Sequence, residues 1–146
     1  MLVHQILRAK GDGQAVATIA PGETVSQAAR ILSERRIGAL VVCNDAGGPP
    51  AGILSERDIV REVGRRGPGA LDDHVSAMMT RAIITCDPED LADSVLTRMT
   101  DQRCRHMPVL REGRMIGLIS IGDVVKARLD ELSMEKEALK GMIMGY

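Results

Sequence analysis

The sequence predicts an α/β (α+β) fold in which two copies of a β-α-β-β-α unit pack pseudo-symmetrically into one module. Three observations carry this. The stretch "GILSERDIV" at 52–60 returns as "GLISIGDVV" at 117–125, each reading Gly, two apolar residues, Ser, two variable residues, Asp, two apolar residues. Pro21 and Pro88 stand 67 positions apart (88 − 21), as do Ile37 and Cys104 (104 − 37), while Asp58 and Asp123 are 65 apart (123 − 58). The slip of two falls between "CNDAGGPPA" and "LREGRMI", in the Gly- and Pro-containing turn where an insertion between two copies of one supersecondary unit is tolerated.

Each element follows from local pattern. "VATIAP" and "AIITCDP" are short β-rich pieces ended by Pro, read as first strands. "ETVSQAARILSERR" and "EDLADSVLTRMTDQR" carry Val25, Ala28, Ala29 and Leu32, and Leu91, Val95, Leu96 and Met99, at helical spacing. Glu23, Glu89 and Asp90 suit the positive start of those helices, and the arginines their ends. "IGALVV" and "HMPVL" have the length and apolarity of second strands. "AGILS" and "MIGLIS" follow a turn as third strands, and "ERDIVREV" and "GDVVKARLDEL" close each unit as helices. Neither small sheet can cover both its faces alone, so the copies are expected to pack together around one shared core.

Composition limits the functions available. Nineteen Lys and Arg against twenty Asp and Glu give a net charge of -1, so no global field draws the chain to nucleic acid or an anionic membrane. Phe and Trp are absent and Tyr occurs once, which leaves no base-stacking platform. No stretch approaches the roughly 18 apolar residues of a membrane span, and "MLVHQILRAKGDG" lacks the apolar core of a signal peptide, so a cytoplasmic protein is expected. Cys43, Cys86 and Cys104 show neither disulfide nor zinc spacing and read as small buried hydrophobes. His4 and His74 have no partners at metal or catalytic spacing, and "GDG" at 11–13 lacks the third Gly of a dinucleotide fingerprint and reads as a loop. No Ser nucleophile with a base, no phosphate loop of the Walker type and no paired carboxylates on one element are found, so the chain is expected not to be an enzyme.

The ordered set T-h-x-P, amphipathic helix, I-G-A-L-V-V or H-M-P-V-L, turn, G-h-h-S-x-x-D-h, occurring twice, resembles the cystathionine β-synthase (CBS) domain as a tandem pair. The resemblance spans roughly residues 15 to 132, and "MMT" at 78–80 looks like the family's linker. It divides the chain into an N-terminal segment (1–14), repeat 1 (15–66), a linker (67–81), repeat 2 (82–132) and a helical tail (133–146). It also implies a Bateman-type regulatory module that binds adenosine nucleotides in clefts between the repeats and signals to a separate effector protein. AMP, ADP, ATP, NAD and S-adenosylmethionine all present adenosine, with AMP or ATP the leading expectation and no cofactor required.

Physical reasoning then assigns roles. An acidic side chain just after a strand accepts both hydroxyls of a ribose as charge-assisted hydrogen bonds, which singles out Asp58 and Asp123. Ser55 and Ser120 stand at the strand ends, able to offer a hydroxyl to ribose or a first phosphate near a helix N-terminus. The resemblance implies that Ile53, Leu118, Ile37, Gly38, Cys104, Ala17 and Ile84 line two adenine slots. It further implies phosphate-facing basic residues at Arg105 and His106, one or the other of them grouped with Asp123 and Ser120, while Arg57 compensates in a less charged Asp58 cleft. Ser-x-x-Asp before an apolar helical run is also an ordinary N-cap, and both uses stay open. The competing reading is a structural or transcription-linked interaction module with vestigial clefts. A homodimer is expected, because the apolar faces of "DIVREV" and "DVVKARLDEL" exceed what one small sheet covers.

Overall fold

The structure is a computed structural model, and it describes residues 1–11, 16–45 and 48–144. Its elements run α1 (Val3–Ala9), β1 (Thr18–Ile19), α2 (Val25–Arg35), β2 (Ala39–Cys43), β3 (Pro50–Ser55), α3 (Glu56–Arg66), a 3-10 turn (Pro68–Asp72), α4 (Val75–Met78), α5 (Ala92–Gln102), β4 (His106–Arg111), β5 (Arg114–Ser120) and α6 (Ile121–Met144). Asp12 and Gly13 of the "GDG" stretch, and Ala46 and Gly47 of the inserted turn, lie outside the described residues.

The two units match residue by residue. Parallel pairing joins Ile19 to Val42 in the first, and a parallel bridge joins Cys86 to Val109 in the second, each partner displaced by the same 67 positions (86 − 19, 109 − 42). The antiparallel hairpins pair Ala39 with Ser55 and His106 with Ser120, and the register slips at the equivalent points, Val42/Cys43 and Val109/Leu110. One predicted element is reduced. "AIITCDP" forms no strand, only the single bridge at Cys86. In the first unit the Val41 N–H donates to the Ala17 carbonyl (3.1 Å). Pro108 occupies the position equivalent to Val41 and has no N–H, so the matching bond to Ile84 cannot form and the ladder stops short.

The expectation of one shared core is corrected: two clusters form among the described residues, one per repeat. Ile19, Val25, Leu40, Leu54 and Ile59 build the first, and Val95, Met99, Met107, Ile119 and Val124 the second. Each sheet finds its second cover in a segment from outside its own β-α-β-β-α unit. The linker brings Ala70, Val75, Met78 and Met79 to the first core, while α1 brings Val3 and Ile6 to the second.

These two covers are bonded alike. The Val75 N–H donates to Glu23 O (2.8 Å) and the Ser76 N–H to Pro21 O (3.0 Å); the Val3 N–H donates to Asp90 O (2.9 Å) and the His4 N–H to Pro88 O (3.0 Å). Gly52 and Gly117 complete the correspondence. A Cβ on Gly52 would meet Met79 Sδ at 2.7 Å, and one on Gly117 would meet Leu7 Cδ2 at 2.6 Å, so each hairpin carries glycine where a covering side chain lies flat against it. The closing helix also exceeds expectation: α6 runs unbroken from the second repeat into the tail, with Val124 and Ala127 its buried residues.

Candidate functional site

The repeated Ser-x-x-Asp stretches sit where β3 turns into α3 and β5 into α6. Both close capping boxes. Ser55 Oγ accepts from the Asp58 N–H (3.2 Å) while Asp58 Oδ2 accepts from the Ser55 N–H (3.0 Å) and hydroxyl (3.0 Å). Ser120 Oγ accepts from the Asp123 N–H (3.1 Å) and Asp123 Oδ2 accepts from the Ser120 N–H (2.8 Å). The capping reading is therefore met at both sites. It also fixes each carboxylate against backbone, with Oδ2 committed and Oδ1 turned elsewhere. Asp58 Oδ1 accepts from Arg61 (3.0 Å); Asp123 Oδ1 has no partner among the described residues, and the Asp123 charge is met at Oδ2 by Lys10 Nζ (2.8 Å).

Two cavities open beside these aspartates. One, of about 500 Å³, is lined by Ile53, Ser55, Arg57 and Asp58 of the first repeat with Ile84, Cys104, Arg105 and His106 of the second. The other, of about 740 Å³, is lined by Leu118, Ser120, Asp123 and His106 of the second repeat with Ala17, Ile37 and Gly38 of the first. Both volumes suit a small-molecule ligand. Every residue expected at the site lines one or the other, and each cleft takes its carboxylate from one repeat and apolar wall from the opposite one.

The expected grouping of charge is corrected. Arg105 lines the Asp58 cleft and not the Asp123 cleft, although its carbonyl accepts from the Ile121 N–H (2.8 Å) at the start of its own closing helix; of the pair it forms with His106, only His106 lines the Asp123 cleft. The Asp58 cleft consequently gathers Arg57, Arg61, Arg103 and Arg105, and the Asp123 cleft gathers Lys10, Arg35 and Arg36.

Arg36 and Arg103, 67 positions apart (103 − 36), both hold left-handed backbone (φ 54° each) at the ends of α2 and α5. The following amides of Ile37 and Cys104 close the turns onto Leu32 O (3.1 Å) and Met99 O (3.0 Å). Glycine is the usual residue in that conformation. Arginine at both ends places a cation at the mouth of each cleft and turns the next side chain, Ile37 or Cys104, toward its wall. The even 67-residue spacing was the available sequence signal for Arg36. Lys10 and Leu7 left none, since their place depends on α1 docking far along the chain.

Electrostatics bind the clefts together at His106, which lines both and stands against Gly38. Burial would raise the Asp123 carboxyl, but hydrogen bonds from Lys10 and Ser120 outweigh it and hold it below its ordinary value. Burial dominates at His106 and lowers its imidazole, with Lys10 and Arg105 acting the same way and the Asp123 and Glu56 carboxylates opposing. Burial likewise raises the Cys104 thiol, leaving it an uncharged wall residue.

A depressed histidine binds its proton more readily in the unfolded chain, so folding stability drops as pH falls below the ordinary imidazole value of about 6.5, by at most about 1.4 kcal/mol per pH unit. Asp123 acts only below the ordinary carboxylate range and does not contribute in that window. Thermal unfolding from about pH 7.5 to about pH 5.5 is expected to show a smaller loss in His106→Gln than in the unaltered chain; equal losses contradict a half-buried imidazole held neutral.

Comparison with known proteins agrees with this architecture. The family model for the CBS domain matches at residues 14–65 and again at 75–130. A CBS-domain containing protein of Agrobacterium tumefaciens superposes with a TM-score of 0.81 at 41% identity, covering 88% of this chain and 99% of that one. A CBS domain protein of Pyrobaculum aerophilum, complexed with AMP, shares the fold with a TM-score of 0.75 at 24% identity over 92% and 99% of the two chains. The CBS domain-containing protein CBSX3, mitochondrial, of Arabidopsis thaliana is 36% identical over 126 residues, 84% of this chain, which spans only 61% of that relative's length. No helix among the described residues is long and apolar enough to cross a membrane. With both halves matched by one family model and both clefts formed across their boundary, the chain belongs to the CBS domain family as a tandem pair.

Proposed function

We propose that the chain is a non-catalytic regulatory module that binds adenosine nucleotides, AMP or ATP foremost and ADP or NAD by the same contacts, in its two inter-repeat clefts. Cleft occupancy is then signalled to a separate effector protein. The observation that carries this is the recurrence of one arrangement: a capping-box aspartate, a strand-end serine, an apolar slot and a cation from the opposite repeat, in both cavities. The Pyrobaculum fold relative with AMP supports the choice of ligand class. Ribose hydroxyls donate to Asp58 or Asp123, adenine enters the slot of Ile53, Ile84 and Cys104 or of Ala17, Ile37 and Leu118, and phosphate turns to the arginines. The free thiols Cys43, Cys86 and Cys104 suit a reducing compartment, for which the cytoplasm is the simplest choice.

Calorimetric titration with AMP, ATP and NAD tests the reading. Asp58→Ala and Asp123→Ala are each expected to weaken one site by about thirtyfold, roughly 2 kcal/mol of charge-assisted hydrogen bonding. Silence of the unaltered chain toward all three ligands would support instead an interaction module whose Ser-x-x-Asp pairs serve only as caps.

A homodimer completes the proposal. Val60 on α3 is 70% exposed, and Leu129 and Leu132 on α6 are 60% and 49% exposed, so both closing helices present apolar side chains to the surface. Light scattering at micromolar concentration is expected to return twice the 15.7 kDa chain mass; a monomer mass with and without nucleotide contradicts it.

A further inference from the structure

The two clefts differ where the covering segments end. In the first repeat the linker closes on β3 through backbone alone, the Thr80 N–H donating to Ile53 O (2.8 Å) and the Ile53 N–H to Thr80 O (3.0 Å). In the second repeat Leu118 is the counterpart of Ile53 (118 − 53 = 65), and its carbonyl receives a side chain instead: Lys10 Nζ at 3.0 Å. The same ammonium lies 2.8 Å from Asp123 Oδ2. A neutral N–H in one cleft is thus replaced by a side-chain cation in the other, and that cation rests on the carboxylate proposed to read ribose. Lys10 comes from the end of α1, ahead of both segments matched by the family model.

We propose that Lys10 sets the ligand preference of the Asp123 cleft, favouring phosphorylated over uncharged nucleosides. This rests on the nucleotide reading of that cleft and goes beyond it. A neutral nucleoside that brings its ribose hydroxyls to Asp123 finds Oδ1 open but must share the carboxylate's charge with the ammonium on Oδ2, and it gives that ammonium no new anionic partner. A nucleotide brings phosphate oxygens, to which the long, flexible lysine side chain can transfer its charge. Arg35 and Arg36 stand in the same cleft but are not paired with Asp123, so they attract phosphate without exacting this cost from a neutral ligand. The Lys10 side chain is 36% exposed and that of Asp123 23% exposed, which makes the pair a partly screened one whose loss shifts affinity by about fivefold rather than by orders of magnitude.

The test is the ratio of adenosine to AMP dissociation constants, measured by calorimetry in an Asp58→Ala background so that the Asp123 cleft reports. Lys10→Ala is expected to tighten adenosine, weaken or leave AMP, and lower the ratio about fivefold; Lys10→Arg keeps a cation and is expected to hold the ratio near its original value. A merely structural role for Lys10, through loosening of α1, weakens both ligands together and leaves the ratio fixed. An unchanged ratio in Lys10→Ala therefore overturns the proposal while the nucleotide reading stands. Failure of both ligands to bind even the unaltered chain overturns the nucleotide reading and the Lys10 proposal with it.

Discussion

Everything at the candidate site depends on one local constraint, the capping box at the junction of third strand and closing helix. The Ser N–H holds a carboxylate oxygen at 3.0 Å in the first repeat and 2.8 Å in the second, and the Asp N–H holds the Ser hydroxyl in return. A helix start needs such partners for its unpaired amides whatever else the protein does. Meeting that need with Asp at the third helical position leaves a fixed carboxylate at the cavity edge, at no further conformational cost. The cap takes up Oδ2 and leaves Oδ1 facing away from it, so the capping reading and the proposed ligand reading do not compete for the same atom.

The second constraint is that neither sheet is complete alone. Each unit needs an outside segment laid across its hairpin, and glycine at 52 and 117 admits that segment at a distance no Cβ would allow. The linker and α1 fill equivalent places, with matching hydrogen bonds onto the loops before α2 and α5. The chain therefore wraps its own beginning around its second half, and the segment that completes that core also carries Lys10 to the cleft. Fold completion and cleft chemistry are coupled on that side, whereas on the other the linker contributes backbone.

Much of this was legible because the repeat is written in residues with strong local consequences. The Gly-h-h-Ser-x-x-Asp phrase fixes a strand, its end and a cap, and its recurrence located both aspartates, both serines and the walls that follow from them. What was not legible depended on relations between copies. The sequence places Arg105 next to His106 and both in the repeat of Asp123, yet the units face each other so that Arg105 lines the cleft of Asp58. A single Pro108 removed the N–H that would have extended the strand predicted over 82–88, an effect visible only once its partner was known. The role of α1 was hidden for the same reason: "VHQILRA" is a short amphipathic stretch with no local sign of where it docks.

The central claim is that each cleft is shared between repeats, with Asp58 served by the second repeat and Asp123 by the first. Backbone amide shifts during AMP titration of the Asp123→Ala protein test it most directly. The account predicts perturbation at Ile53 and Ser55 together with Ile84 and Cys104, while Ala17 and Ile37 stay unmoved. Perturbation at Ala17 and Ile37 with Ile84 and Cys104 unmoved would contradict it.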